Sequence, residues 1–79
     1  MRARVYVTLK PSVFDPQGRV VAEALQTLGY ADVTDVRQGK FFELELDDAD
    51  RATAEARVAE MAGKLLANPV IESYRVEVL

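Results

Sequence analysis

Along the chain, the spacing of apolar residues switches twice from a period of two to a helical period and back. Apolar and polar residues alternate over residues 2–10, 42–46 and 74–78. Residues 32–46 also look extended, but Val33 and Val36 break the alternation, which predicts a bulge or a twisted edge there. Residues 16–28 and the segment between Asp50 and Asn68 place apolar residues at helical spacing. Strands require the first period and amphipathic helices the second. The order predicts β-α-β-β-α-β, which is typical of a ferredoxin-like α+β two-layer sandwich with both helices on one face of an antiparallel sheet.

The first predicted helix has a signal at each end. Asp15 can accept hydrogen bonds from the free N–H groups of the first turn. Pro16 suits the first helical position, because an N–H group there would have no acceptor within the helix and its absence costs nothing. Gly29 stands where a left-handed cap would end the helix. These signals predict a helix over 16–28. Its apolar stripe consists of Val20, Val21, Ala24, Leu25 and Leu28.

The second half of the chain has a predicted turn and a predicted helix stop. A hairpin turn is expected at Gln38-Gly39, where Gly39 would supply a positive φ. Asn68-Pro69 ends the second helix, because a residue before proline avoids the helical region. The stripe of that helix consists of Ala54, Val58, Met61, Ala62, Leu65 and Leu66.

A chain of 79 residues supports one domain, residues 1–79, with a thin core. Surface scaling predicts that about 63% of the unfolded surface is buried on folding. The sequence contains no cysteine and no histidine, so it can form neither a disulfide nor a zinc site built on those residues. Oligomerisation is the remaining way to stabilise such a small core. Tyr6 and Phe41 are expected on the second face of the sheet, which a second copy would cover.

The same composition narrows the classes of function. Without imidazole or thiol groups the chain lacks the commonest catalytic bases and nucleophiles, and we expect no cofactor in it. A net charge of −3 argues against nucleic-acid binding. No apolar run reaches the 18 residues of a membrane span. Residues 1–4 lead directly into the alternation rather than into a signal peptide, so a cytoplasmic location is expected.

Two charged clusters allow more than one interpretation. Asp47, Asp48 and Asp50 could hold a divalent cation, but their spacing does not match a calcium loop, and helix capping is the interpretation we favour. Arg37 and Lys40 flank the predicted turn. The glycine spacing there is not that of a phosphate-binding loop. This turn is therefore either a solvated hairpin or a docking contact for an acidic partner surface.

Two connecting segments contain residues that local geometry does not explain. Phe14 is apolar in a loop, and it either fills the seam between sheet and helix or inserts into a neighbour. Glu72 has no evident local role and could pair across a subunit interface. The predicted partner contacts are Lys10, Phe14, Arg37, Lys40 and Glu72. The residues assigned to backbone geometry are Asp15, Pro16, Gly18, Gly29, Gly39, Asn68 and Pro69.

Five short motifs together resemble one known family over essentially all 79 residues. They are Leu9-Lys10-Pro11, Asp15-Pro16-Gln17-Gly18, Leu28-Gly29, Arg37-x-Gly39-Lys40 and Leu66-Ala67-Asn68-Pro69-Val70-Ile71-Glu72. Each motif alone is weak, but their order and separation are specific. The chain resembles the PurS family, the small subunits of bacterial and archaeal phosphoribosylformylglycinamidine synthase.

The resemblance implies a subunit that is not catalytic alone. PurS-like chains form dimers or tetramers and associate with a glutaminase subunit, PurQ, and a synthetase subunit, PurL. The complex converts formylglycinamide ribonucleotide to formylglycinamidine ribonucleotide in purine biosynthesis, using glutamine and ATP. ATP and Mg²⁺ would bind in the synthetase partner. The implied role is to bridge PurQ and PurL and to support ammonia transfer between them.

Two other classes of function remain open from the residues alone. A homodimeric ferredoxin-like regulatory module could bind a small metabolite at its interface, by analogy of fold. A small enzyme could use Glu43, Glu45 or the aspartate cluster. We favour the enzyme least, because these glutamates alternate along a strand face, where solvation is the ordinary explanation.

Overall fold

The computed structural model describes residues 1–47 and 50–79 and contains one three-stranded sheet with two α-helices. The elements in chain order are β1 (Arg2–Leu9), α1 (Pro16–Thr27), β2 (Gly39–Glu45), α2 (Arg51–Met61), a π-helical segment (Ala62–Leu66) that extends α2, and β3 (Glu72–Val78). The strand order is β2-β1-β3, and both outer strands run antiparallel to β1. The predicted α+β class is confirmed.

The core lies between α2 and the face of the sheet that α2 covers, which we call the inner face. Ala54 and Val58 of α2 are fully buried, and so are Val5 and Val7 of β1. These side chains are small because the helix lies directly on the central strand and on β3. The buried cluster consists of Ala3, Val5, Val7, Val58, Ala62, Ala67 and Val78.

The opposite face of the sheet, which we call the open face, is lined by polar and aromatic side chains in cross-strand pairs. Arg4 Nε lies 3.1 Å from Glu43 Oε2. The rings of Tyr6 and Phe41 pair at a centroid distance of 5.3 Å, and the Arg75 guanidinium lies 4.2 Å from the centre of the Tyr6 ring. Tyr6 and Phe41 therefore lie on the face where the sequence predicts them. Their surroundings are charged.

The strand and the turn predicted before β2 are wrong. Residues 33–38 join no strand, so the described part of the chain forms three strands rather than four. Gly39 lies within β2, and Gly29 is the described glycine with a positive φ. A Cβ on Gly39 would lie 2.2 Å from the Val7 carbonyl oxygen, so this position excludes a side chain because β1 approaches closely.

Helix α1 does not lie on the sheet, so the prediction that both helices cover one face holds for α2 only. No described residue of α1 belongs to the buried core cluster, and the described packing onto the sheet comes from α2. The Cα radius of gyration is 15.8 Å, whereas a compact chain of this length would have about 12 Å. The longest dimension is 48 Å. Helix α1 therefore extends away from the rest of the fold.

The π-helical segment changes which residues after α2 face the core. The Ala67 N–H donates to the Ala62 carbonyl at 2.8 Å, a bond that spans five residues and adds one to the turn. Leu65 is consequently 84% exposed, whereas Ala67 is buried and Leu66 is half-buried. The prediction that Leu65 belongs to the apolar stripe is wrong, because regular helical spacing does not account for the inserted residue.

Candidate functional site

Three connecting segments meet at the end of the sheet where β1 ends and β2 and β3 begin. We call this region the junction and define it as residues 10–15, 36–40 and 66–72. The Lys10 N–H donates to the Ile71 carbonyl at 2.9 Å and ties the first segment to the third. The junction contains all five residues predicted as partner contacts: Lys10, Phe14, Arg37, Lys40 and Glu72.

The Arg37 guanidinium fastens the loop that follows β1. Its Nη2 donates to the carbonyl oxygens of Lys10 and Val13, both at 2.9 Å. The loop turns sharply there, with the Val13 N–H donating to the Lys10 carbonyl at 2.9 Å. A planar guanidinium is suited to this task, because its fixed donors reach several acceptors at once. Arg37, which the sequence predicts as a partner contact, thus also holds the conformation of the loop that follows β1.

Asp15 joins the same two segments, residues 10–15 and 36–40, through a side chain that lies on the first of them. Its Oδ1 accepts from the Gly18 N–H at 2.9 Å, which caps α1, and its Oδ2 accepts from the Gln38 N–H at 2.7 Å. The carboxylate is buried, and these two backbone donors, Gln38 first, hold its pKa below the ordinary value. A Cβ on Gly18 would lie 2.1 Å from the Val36 carbonyl oxygen. The start of α1 is therefore fixed against residues 36–38.

Glu72 has partners within its own chain. Its Oε1 accepts from the Asn68 N–H at 2.7 Å, and its Oε2 lies 3.4 Å from Lys40 Nζ. The Asn68 N–H is the main cause of the lowered pKa of Glu72, and the Lys40 ammonium contributes further. Asn68 Oδ1 also accepts from the Val70 N–H at 3.1 Å, which closes the turn at Pro69. The Lys40–Glu72 pair therefore links the start of β2 to the start of β3, and the Asn68 N–H ties Glu72 to the loop before β3.

Gly29 lies at the other end of α1, outside the junction. Its φ is 108°, and it follows Leu28, the C-cap residue. The Gly29 N–H donates to the Gln26 carbonyl at 3.1 Å, and the Tyr30 N–H donates to the Leu25 carbonyl at 3.0 Å. This pair of bonds is a Schellman motif, which requires the left-handed conformation that glycine adopts without strain.

Apolar side chains at the junction remain exposed. Phe14 is 66% exposed, so it does not fill a seam between sheet and helix. Val70 is exposed as well. It is not among the predicted contacts, because Val70-Ile71 is typical of the start of a strand. The junction therefore combines a frame of hydrogen bonds with exposed apolar groups.

Among the aspartates that precede α2, Asp50 caps the helix. The Asp50 Oδ2 accepts from the Thr53 N–H at 3.2 Å at the start of α2. The Thr53 hydroxyl first, and then this N–H, lower the pKa of Asp50. Asp48 lies outside the described residues. Within residues 1–47 and 50–79 no three acidic side chains form a group that could hold a metal ion. In that same part of the chain neither helix is long and apolar enough to cross a membrane.

Comparisons with known proteins agree on one family. Residues 2–79 match the family model of PurS, described as phosphoribosylformylglycinamidine (FGAM) synthase. The phosphoribosylformylglycinamidine synthase subunit PurS of Bacillus subtilis is 52% identical over 77 residues, which cover 98% of this chain and 90% of that protein. The corresponding subunit of Synechocystis is also 52% identical, over 95% of this chain and 75% of that protein.

Solved structures show the same fold. Bacillus subtilis PurS superposes with a TM-score of 0.84 at 51% identity, over 96% of this chain and 94% of that one. A chain of the PurLQS structure from Thermotoga maritima superposes with a TM-score of 0.89 at 29% identity, over 99% of this chain and 95% of that one. The predicted resemblance is confirmed.

Proposed function

The chain belongs to the PurS family of FGAM synthase subunits, and we propose from that premise that it works by assembling a glutaminase subunit of the PurQ type with a synthetase subunit of the PurL type. The complex would convert formylglycinamide ribonucleotide to formylglycinamidine ribonucleotide with glutamine and ATP. ATP and Mg²⁺ bind in the synthetase partner, and the complex resides in the cytoplasm.

The observation that carries this proposal is how the junction uses its charged groups. The Arg37 guanidinium donates to backbone carbonyls, the Asp15 carboxylate accepts from backbone N–H groups, and Glu72 accepts from a backbone N–H while pairing with Lys40. Each of these groups fixes the course of the chain. A region whose charged side chains bind its own backbone has a fixed conformation, and it is therefore suited to presenting a defined surface to a partner subunit.

Contacts with the partner subunits are made at the junction. Exposed Phe14 and Val70 are the apolar anchors, because large apolar side chains contribute most of the energy at interface centres. Lys10, Arg37, Lys40 and Glu72 lie in the same junction. The backbone contacts of Arg37 and Glu72 fix the two loops that carry Phe14 and Val70. The surface is ordered before binding, which lowers the entropic cost of association.

The need for such a subunit follows from the chemistry of ammonia. Ammonia that escaped from a glutaminase into water at neutral pH would be protonated and would lose its nucleophilicity. A route that excludes water has to be held closed between two separate active sites. The chain, as a homodimer, would supply surface for that purpose and would need no catalytic group of its own.

Reconstitution with purified PurL and PurQ tests this role. We expect formylglycinamidine ribonucleotide to form from glutamine only when this chain is added, whereas formation from ammonium chloride, which needs no transfer, should not depend on it. Full glutamine-dependent activity of PurL and PurQ without this chain would contradict the proposal. Turnover by the chain alone would contradict it too.

A matched pair of aromatic variants tests the position of the contact. Phe14→Ala should raise the concentration of this chain that gives half-maximal glutamine-dependent activity about tenfold, as expected for an interface anchor. Phe41→Ala removes another exposed ring, 54% exposed on the open face, and should leave that concentration unchanged. Equal effects of the two substitutions would place the contact elsewhere.

A further inference from the structure

A cleft of about 430 Å³ lies between α1 and residues 33–38, which we call the flanking segment. Both ends of this segment are tied to the helix. The Gln26 Nε2 donates to the Val33 carbonyl at 2.7 Å, and the Gln38 N–H donates to the Asp15 carboxylate at 2.7 Å. The cleft lies between these two bonds, which fix its walls. Its volume falls within the range of roughly 300–1,000 Å³ that is usual for small-molecule sites.

The lining of the cleft combines small apolar groups with charges of both signs. Ala22 is buried and Val36 is half-buried, so they form its deeper part. Arg19 and Glu23 line it from α1, with the Arg19 Nε 3.1 Å from the Glu23 Oε1. Asp35 lines it from the flanking segment. A ligand in the cleft would therefore meet cationic and anionic groups at once.

The charged groups of the cleft differ in how far their own chain uses them. The Asp15 carboxylate accepts from two backbone N–H groups, one at each oxygen. The described hydrogen bonds of the Arg37 guanidinium all use Nη2, so Nε and Nη1 remain for a ligand. Asp35 is exposed and forms no ion pair with any residue that the structure describes. The cleft thus offers a ligand one carboxylate and one guanidinium.

The cleft is on the side of α1 away from the exposed apolar stripe of that helix. The α1 residues that line it recur every three or four positions, so they share one side of the helix. Val21, Ala24 and Leu28 are exposed on the opposite side. A second copy that covers those apolar residues would leave the cleft accessible.

We propose that this cleft binds a small α-amino acid with an uncharged side chain. The ammonium group of the ligand would pair with Asp35, and its carboxylate would accept hydrogen bonds from Arg37. The available groups carry one charge of each sign, so a side chain without charge fits the lining best. This inference goes beyond the proposed function and does not depend on it.

The same lining disfavours phosphorylated ligands. Asp15, Glu23 and Asp35 outnumber Arg19 and Arg37, so the cleft would repel a group with two negative charges. An amino acid has no net charge and avoids this repulsion. A nucleotide is therefore the weaker candidate, although the exposed ring of Phe14 also lines the cleft.

Titration of the full chain, followed by amide chemical shifts, tests the site. The first probe is L-glutamine, because its side-chain amide can bond to the side chains of Gln26 and Thr34, which also line the cleft. We expect saturable binding with a dissociation constant of about 1 mM, within reach of a ligand of about ten non-hydrogen atoms. The shifts should concentrate at residues 19–26 and 34–37.

Related probes test the chemical class of the ligand. L-Glutamate and L-arginine each add a charge and should bind about tenfold more weakly or worse, and adenosine monophosphate should bind more weakly than glutamine. The inference would be overturned by an absence of shifts up to about 20 mM glutamine, by shifts elsewhere in the chain, by equal affinity for the three amino acids, or by tighter binding of the nucleotide.

Two exposed aspartates give a matched pair of variants. Asp35→Asn removes the carboxylate that would bind the ammonium group, and it should raise the dissociation constant for glutamine by about tenfold or more. Asp32→Asn changes a carboxylate in the turn after α1, outside the cleft, and should leave the constant as it is. Glutaramate, which lacks the ammonium group, should bind no more weakly to Asp35→Asn than to the unaltered chain. Equal effects of the two substitutions on glutamine binding would overturn the inference.

Discussion

The two helices have similar lengths and the same kind of N-terminal cap, yet only one of them contributes to the core. Asp15 caps α1 and Asp50 caps α2. Helix α2 buries Ala54 and Val58 against the sheet, whereas α1 leaves its apolar stripe exposed. The comparison shows that an amphipathic pattern predicts that a helix has a covered face, but not which molecule covers it.

The largest expected difference between the helices concerns single-chain stability. Val58→Ala removes two methyl groups from the centre of the core and should lower the free energy of unfolding by about 2–3 kcal/mol. Val20→Ala removes the same groups from an exposed site and should change it by less than about 0.5 kcal/mol. Urea denaturation at low protein concentration measures both. Equal losses would mean that α1 is packed within the single chain.

Two helical glycines provide the next test. Gly18→Ala would place a methyl group 2.1 Å from the Val36 carbonyl oxygen and should cost about 1–3 kcal/mol, because backbone must move. Gly63→Ala meets only the Tyr74 hydroxyl at 3.6 Å. It should be neutral or stabilise by up to about 1 kcal/mol, since alanine favours the helix. Denaturation midpoints compare the two, and a tolerated Gly18→Ala would show that the base of α1 is not fixed.

A smaller effect should depend on pH. The pKa of Asp15 is lowered in the folded chain, so its carboxylate stabilises the fold fully above the unfolded value of about 4. That contribution is lost as pH falls through the lower folded value. Asp15→Asn should therefore flatten the fall in stability between about pH 5 and pH 3.

Denaturation across that pH range measures the effect, with Asp32→Asn as the control. Asp32 is exposed in the turn after α1. Its substitution should leave the pH dependence as in the unaltered chain. A profile for Asp15→Asn that is as steep as the unaltered one would contradict the role of Asp15 in joining α1 to residues 36–38.

The smallest expected effect is that of the Lys40–Glu72 pair. Lys40 is about half exposed, and water screens the attraction. A double-mutant cycle with Lys40→Ala and Glu72→Ala should give a coupling energy of about 0.2–1 kcal/mol. Glu72→Ala alone should be the more damaging single substitution, because it also removes the acceptor of the Asn68 N–H. A larger effect of Lys40→Ala would contradict this ranking.

Local rules account for much of the fold. The alternation predicts β1, the caps at Asp15 and Gly29 bound α1 within one residue, and the family motifs identify the family. The junction could be predicted in part, since the five predicted contacts meet there. The hydrogen bonds that its charged side chains form with the backbone could not be predicted, because bonds between segments far apart in sequence produce no periodic pattern.

The failures have a common physical cause. Residues 33–38 are extended in pattern but join no strand, and α1 is amphipathic but leaves the sheet. Both predictions assumed that the chain completes its own sandwich. Leu65 failed for a different reason, since one inserted π-helical residue rotates it into solvent. The spacing of apolar residues shows which face of a helix or strand is apolar, but it does not show which surface covers that face.

Hydrogen exchange at two protein concentrations tests most directly whether α2 is stabilised within one chain and α1 between chains. Exchange reports local opening, so each helix can be followed separately. Protection of α1 amides should increase when the concentration is raised through the dimer dissociation constant, while protection of β1 and α2 should increase less. Protection of α1 that equals that of α2 at every concentration would contradict the account.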